Sequence, residues 1–241
     1  MVLLQLDLTR FIQIYIVQGI VGIIYLIIAY KILKRDTKRL NVILSLFYIV
    51  GATGVFLNWI YAPLTDEPTV FILNFLTNYC FFLAPIFLVV FELILLKSEK
   101  MFTRKKQLLV IIVYGIIMFC SIFIPNGVTI NASTNWRPVW SIPFFIYVII
   151  LYSLLGILPI IHYGFAVYKE FENEELKKKW KYFILGIIGL SIFTIGTFFS
   201  NTLNIPTFRV MWAFVALPLT IISPILIYLG VGKQIKKVEI E

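Results

Sequence analysis

Charged and chemically reactive residues are scarce in this sequence. Only 14% of its 241 residues are charged and 61% are hydrophobic, whereas about a quarter of the residues in soluble domains are charged. This balance excludes an ordinary water-soluble domain and is typical of a polytopic membrane protein. The chain has one histidine, His162, and two cysteines, Cys80 and Cys120, which lie inside apolar segments. These are too few for a structural zinc site or a disulfide framework, so we expect no metal and no cofactor.

Catalytic motifs are also missing. The sequence has no glycine-rich phosphate loop, no HExxH zinc motif and no nucleophile elbow. An enzyme that acts on lipid is therefore the weakest of the function classes considered, and we do not expect enzymatic activity. The net charge is +9, but the basic residues lie in the connections between apolar segments. They form no face that would bind nucleic acid, and the predicted surroundings are the lipid bilayer.

Seven apolar segments occupy most of the chain, each close to the ~20 residues that a helix needs to cross a bilayer. The connections between them are short, which predicts antiparallel packing of neighbouring helices. The predicted fold is an all-α bundle of seven transmembrane helices in one domain, residues 1–241. Richness in Ile and Lys favours a prokaryotic cell membrane. The segments are Phe11–Leu33, Val42–Tyr61, Thr69–Leu96, Gln107–Pro125, Ile142–Tyr168, Tyr182–Leu203 and Phe208–Gly230.

The distribution of basic residues predicts the orientation of the bundle. Eighteen of the 21 Lys and Arg residues lie in the first, third and fifth connections and in the C-terminal tail. The other side has only Arg10, Arg137 and Arg209. Because basic residues are retained on the cytoplasmic side, we expect the N-terminus outside and the C-terminus in the cytoplasm. The fourth connection is then the longest outer loop, and its Trp136 and Trp140 suit the membrane interface.

Helices two and six share a pattern. Both follow a basic inner connection, and both are rich in small residues. Each ends in an Asn followed five residues later by Pro: Asn58 and Pro63, Asn201 and Pro206. The pattern is compatible with a 3+1+3 pseudo-repeat in which the fourth helix is a linker. The simpler explanation of the small residues is close packing between helices.

The third segment carries a polar stripe. Asn74, Asn78, Pro85 and Glu92 fall within about 40° of one another on a helical wheel. Polar side chains that faced lipid would lack hydrogen-bond partners, so the stripe predicts that this helix lies at the centre of the bundle. It should face other helices or a water-filled cavity.

Amide and aromatic side chains are concentrated in the predicted outer half. Such side chains suit a pocket for a neutral or zwitterionic small ligand. The alternative interpretation is that the Asn side chains only join helices by hydrogen bonds. The candidate ligand-binding residues are Asn58, Asn74, Asn78, Asn201, Asn204 and Trp212.

Glu92 is the one carboxylate inside a predicted span, about one turn from its inner end. One interpretation is a proton-coupling or gating site formed with His162, which lies at a similar depth in helix five. The other is an acid near the interface that pairs with Lys31, Lys97 or His162. One Glu and one His do not make a metal site.

The run Lys179–Lys233 has a basic entry, a glycine-rich sixth helix, the turn Leu203-Asn204-Ile205-Pro206, an apolar seventh helix and a basic end. In this layout the chain resembles the seven-helix N-terminal sensor region of some prokaryotic histidine kinases. The resemblance implies a sensor. Because the sequence stops at Glu241 without a kinase domain, the signal would reach a separate cytoplasmic partner through the inner loops or the tail Lys233–Glu241. Helix seven has no lysine, which excludes the Schiff base of a retinal protein.

Two functions from different classes follow. The first is a sensor or receptor-like module that binds a small ligand in its outer half and passes a helix shift inward past Pro85 and Glu92. The second is a small-solute or proton-coupled transporter or channel that uses the polar stripe of helix three. We expect a small-molecule ligand in either case.

Overall fold

The computed structural model describes residues 8–232. It is 86% helical and contains seven helices that are long and apolar enough to cross a membrane. The predicted all-α class and the seven spans are therefore confirmed. The tail Lys233–Glu241, which the sequence suggests as a signalling segment, lies outside the described residues.

The seven helices are numbered α1 to α7. Two of them, α1 and α5, contain a π-helical stretch, and α7 ends in one. Their bounds are α1, Leu8–Phe11, Ile12–Gln18 (π) and Gly19–Arg35; α2, Arg39–Tyr61; α3, Glu67–Met101; α4, Arg104–Phe119, followed by the 3-10 turn Cys120–Phe123; α5, Ile142–Tyr152, Ser153–Ile157 (π) and Leu158–Glu170; α6, Glu174–Leu203; and α7, Pro206–Ile227 and Tyr228–Gly232 (π).

Local capping explains where several helices begin and end. The hydroxyl of Ser141 accepts a hydrogen bond from the backbone of Phe144 at the start of α5. The side chain of Asn173 accepts two backbone hydrogen bonds at the start of α6. At the other end of α6, Asn204 takes a left-handed conformation with φ of 51°, which Asn tolerates better than most residues. The predicted end of α6 at Leu203 is confirmed, but the helix begins at Glu174 and not at Tyr182, because it starts in the polar connection before the apolar run.

Helix α3 is the centre of the bundle, as its polar stripe predicts. In its apolar stretch 67% of the residues are buried, compared with 17% in α7. It packs against α2, α4 and α5. Further contacts join α1 to α2, α4 to α5, α5 to α6, α6 to α7 and α1 to α7. Asn74, Pro85 and Glu92 of the polar stripe are therefore buried within the protein.

Close packing accounts for the glycines of α6. A Cβ atom on Gly186 would lie 2.6 Å from the carbonyl oxygen of Ser223 in α7, and one on Gly189 would lie 2.2 Å from the hydroxyl oxygen of Ser223. A Cβ on Gly196 would meet the ring of Trp212 at 2.2 Å. The missing side chains let the two helices approach each other, as small residues commonly do in membrane bundles.

The fourth connection folds over one end of the bundle as a hairpin. Its strands, β1 (Val128–Thr129) and β2 (Val139–Trp140), pair antiparallel. We call this end of the bundle the hairpin end. The opposite end, where the short connections between α1 and α2, α3 and α4, and α5 and α6 lie, is called the basic end. The orientation of these two ends relative to a cell remains the prediction made from charge.

Two arginines on the helices donate hydrogen bonds to backbone carbonyls of the hairpin. Arg10 of α1 is buried and donates from Nη1 to the carbonyl of Asn135 at 2.9 Å, and from Nη2 to that of Trp136 at 2.8 Å. The same Nη2 also lies 3.4 Å from the carbonyl of Ala62 in the second connection. Arg209 of α7 donates to the carbonyl of Pro138 at 2.8 Å. The first and last helices are thereby tied to one loop.

The two tryptophans of the hairpin do not occupy a lipid interface. Trp136 and Trp140 are both buried in protein. The ring of Trp140 packs on Phe144 of α5 and Phe198 of α6, with centroids 5.0 and 5.1 Å apart. The hairpin therefore places Trp140 in the hydrophobic core at the hairpin end of the bundle.

Candidate functional site

A cavity of about 310 Å³ lies beneath the hairpin. It is bounded by α3, by the 3-10 turn after α4, by the first residues of the hairpin and by the start of α5. Its polar wall residues are Asn74, Asn78, Ser121 and Asn126, and its aromatic ones are Phe71, Phe75, Phe123 and Phe144. None of the described residues that line it is charged. This composition suits a small uncharged molecule.

The amides of the cavity wall are joined in a chain. Asn74 is buried, and its Nδ2 donates to the hydroxyl oxygen of Tyr61 at 2.8 Å. Nδ2 of Asn78 donates to the carbonyl and Oδ1 oxygens of Asn74 at 2.9 and 3.1 Å. Asn78 itself is half-buried. Asn74 therefore orients Asn78, and of these two amides Asn78 is the one that keeps exposed surface.

Ser121 adds an unsatisfied polar group to this wall. It is 1% exposed, and its hydroxyl oxygen has no hydrogen-bond partner among the described residues. A buried hydroxyl without a partner costs about 1–3 kcal/mol, so a ligand or water that bonded it would recover part of that energy. No sequence pattern selects Ser121, because its position in the wall depends on the 3-10 turn that ends α4.

The cavity is in contact with the core of the bundle. Phe144 lines the cavity and packs on Trp140, which in turn packs on Phe82 of α3 and Phe198 of α6. Tyr152 of α5 packs on both of these phenylalanines. A change in the cavity can therefore reach three helices through aromatic contacts.

The other predicted ligand residues lie elsewhere. Asn58 donates to the side chain of Gln18, between α1 and α2. Trp212 donates to the hydroxyl of Thr197 at 3.1 Å, between α6 and α7. The half-buried Asn201 and the helix-ending Asn204 are at the end of α6. Of the six predicted residues, the structure thus brings Asn74 and Asn78 together at the cavity and places four outside it.

The polar stripe of α3 faces α5 beyond the cavity as well. Pro85 lies opposite Gly156, where a Cβ atom would be 3.8 Å from the Cβ of the proline. Glu92 lies opposite Gly164, where a Cβ atom would be 2.9 Å from Oε1. Beyond the cavity, the stripe therefore contacts α5 at Gly156 and again, nearer the basic end, at Gly164.

The predicted pair of Glu92 and His162 is not formed. Glu92 is 0% exposed, and neither carboxylate oxygen has a hydrogen-bond partner in the described part of the chain. His162 is exposed on the far side of α5 and contacts the ring of Tyr163. The reason is that α5 turns Gly164 toward Glu92, and a residue two positions away points in the opposite direction. The alternative partners, Lys31 and Lys97, are exposed and do not bond it.

Metal ligands are not clustered in the part of the chain from residue 8 to 232. No group of three or more His, Cys, Asp or Glu residues there could hold a metal ion. Cys80 and Cys120 are free thiols in this range.

No protein-family model, curated protein or solved structure matches this chain. The seven apolar helices define a membrane-type helical bundle. The features of this bundle that bear on function are the cavity and the contacts of α3.

Proposed function

We propose that the protein is a membrane receptor-like module that binds a small neutral ligand in the cavity at its hairpin end and signals to a cytoplasmic partner. The observation that carries this proposal is the cavity itself, which places the amides of Asn74 and Asn78 beside a group of aromatic rings. The distribution of basic residues favours an extracellular hairpin end, and the richness in Ile and Lys favours a prokaryotic cell membrane. The ligand would then enter from the extracellular side.

The wall of the cavity narrows the ligand class. A volume of about 310 Å³ is at the small end of ligand pockets. The described wall residues offer no charge to pair with an ion, and an ion buried without a partner is costly. The best fit is a small uncharged molecule with one polar group for Asn78 and Ser121 and an apolar part for Phe71 and Phe75.

The contact of α3 with α5 gives the signal a route. A ligand bound between α3 and α5 would favour one of two distances between these helices. The resulting free-energy difference cannot exceed the difference between the ligand's binding free energies for the two arrangements. Opposite Pro85, α5 has its π-helical stretch Ser153–Ile157. Proline and π-helical turns are the places where helices bend. A shift that begins at the cavity would thus reach the basic end along Pro85 and Glu92.

The test is a thermal-unfolding screen of the purified protein against small neutral, zwitterionic and charged molecules. We expect stabilisation by neutral molecules, since a ligand at 100 times its Kd adds about 2.7 kcal/mol. Asn78→Leu should abolish that response, and Ser121→Ala should weaken it without breaking any hydrogen bond within the described protein.

Asn201→Leu is the matched control, because it removes a half-buried amide that does not line the cavity. It should leave the response unchanged. A folded Asn78→Leu variant that still responds like the unmodified protein would place the ligand elsewhere and refute the proposal.

A proton-coupled transporter or channel is the second candidate. The observation that favours it is the unpartnered carboxylate of Glu92 on the same face of α3 as the cavity. Carboxylates buried within membrane helices commonly belong to proton or ion pathways. Measurement of flux separates this candidate from the receptor.

A further inference from the structure

Glu92 differs from the other described carboxylates. The side chains of Glu174 and Glu175 pair with Lys177 and Lys179, and Asp36 pairs with Lys38. Glu67, at the start of the same helix, is exposed to solvent. Glu92 has neither solvent nor a partner, because both of its oxygens are buried without a hydrogen bond in the described residues.

The neighbours of Glu92 explain why nothing bonds it. On α5 it meets Gly164, and the side chain of Ile184 of α6 approaches the same point. The carbonyl of Gly164 already accepts a hydrogen bond from Nε1 of Trp180, at 2.7 Å. The carbonyl of the glycine that Glu92 faces is thus engaged by α6.

The charged and titratable groups on the surrounding helices do not reach Glu92. His162, Lys169 and Lys97 are exposed, and Lys181 of α6 lies over the ring of Tyr168. The Tyr48 hydroxyl of α2 bonds the carbonyl of Pro224. Arg104, Lys105 and Lys106 at the start of α4 are exposed.

Arg39 of α2 is a cation at about the same depth whose guanidinium is partly buried. Gly54 of α2 lies against Thr77 of α3. The same length of helix separates Gly54 from Arg39 as separates Thr77 from Glu92, so Arg39 and Glu92 lie at about the same level of the two antiparallel helices. Nη2 of Arg39 is buried and has no hydrogen-bond partner among the described residues. No ion pair joins Arg39 to Glu92 in the described structure, so the carboxyl is not neutralised by this cation.

A proton is the cation that fits this position. Metal cations need several oxygen ligands, and the described residues provide no cluster of metal-binding side chains. A single carboxyl in apolar surroundings needs no further ligand once it is neutral. Leaving it ionised and unpaired would be strongly unfavourable.

We propose that Glu92 is a proton-binding site, which holds a proton at neutral pH while α3, α5 and α6 are packed together at Gly164. The proposal does not depend on a ligand in the hairpin-end cavity. It has a consequence for conformation: a water molecule can reach the carboxyl and take the proton only when α5 separates from α3 at Gly164. Release of the proton and opening of this contact are then one event.

Infrared spectroscopy tests the bound proton directly, because the carbonyl stretch of a protonated carboxyl is separate from the bands of a carboxylate. The protein in lipid at neutral pH should show such a band, and Glu92→Gln should remove it. Glu67→Gln is the matched control on the same helix and should leave the band unchanged. A spectrum of the folded protein with no protonated carboxyl dependent on Glu92 would overturn the proposal.

Hydrogen–deuterium exchange tests the coupling to α5. In D₂O the band should shift slowly in the unmodified protein, since the site is closed. Gly164→Ala places a methyl group 2.9 Å from Oε1, so it should displace the carboxyl and make the exchange several-fold faster. Gly156→Ala on the same helix, where the nearest atom is 3.4 Å away, is the control. Equal exchange in Gly164→Ala and Gly156→Ala would refute the link between the proton and the helix contact.

Discussion

Replacing Arg10 by methionine is expected to lower the free energy of unfolding by about 3 kcal/mol. Methionine keeps much of the apolar bulk but removes the guanidinium. The carbonyls of Ala62, Asn135 and Trp136 then lose a charged donor in a buried setting. Because Arg10 joins α1, the second connection and the hairpin, its loss should also make the hairpin that covers the cavity more mobile. Chemical denaturation in micelles, followed by helix content, measures the effect.

Two other arginines are controls for this substitution. Arg209→Met removes the hydrogen bond to the carbonyl of Pro138 and should cost about 1–2 kcal/mol. Arg104→Met alters an exposed residue at the basic end and should change stability by less than about 0.5 kcal/mol. If Arg10→Met were as stable as Arg104→Met, the inference that the hydrogen bonds of Arg10 to the hairpin stabilise the protein would be wrong.

Replacing Gly186 by alanine is expected to force α6 and α7 apart and to destabilise the bundle by about 1–3 kcal/mol. The new Cβ atom would lie 2.6 Å from the Ser223 carbonyl oxygen and 2.9 Å from the Ile227 nitrogen. Both atoms belong to the backbone of α7, so no rotation of a side chain relieves the overlap. The same denaturation measurement gives the loss.

Gly156→Ala is the matched control for Gly186→Ala. It makes the same chemical change within a span, but the nearest atom is the Tyr114 hydroxyl oxygen at 3.4 Å, an ordinary contact. We expect it to be neutral or slightly stabilising, since alanine restricts the unfolded chain more than glycine does. Equal losses in the two variants would mean that the glycines of α6 do not set the distance to α7.

The fold was predictable because its signals are local. Apolar runs of membrane length locate the seven helices, and a rotation of about 100° per residue is enough to place Asn74, Pro85 and Glu92 on one face of α3. The boundaries were less predictable, because helices continue into polar segments. Thus α3 extends to Met101 and α6 begins at Glu174, whereas α4 ends early, at Phe119, in a 3-10 turn.

The site was only partly predictable because it depends on how separate elements are turned toward one another. Similar depth suggested that His162 could meet Glu92, but depth does not determine which face of α5 is turned to α3. The cavity wall needs the conformation of the fourth connection, where Asn126, Asn135 and Trp136 adopt positive φ values near 50°. No sequence pattern indicated those turns, and therefore none indicated that Ser121 and Phe144 would enclose the cavity or that Trp140 would be buried.

We propose that the protein binds a small molecule without carrying it across the membrane. The most direct test is flux: the purified protein is reconstituted in liposomes, and internal pH and uptake of small neutral solutes are followed, with Glu92→Gln and Glu67→Gln in parallel. The claim predicts no uptake and no proton movement above empty liposomes, from protein that still shows ligand-dependent thermal stabilisation. Uptake of solute or protons that Glu92→Gln abolishes and Glu67→Gln preserves would contradict the receptor and identify a transporter.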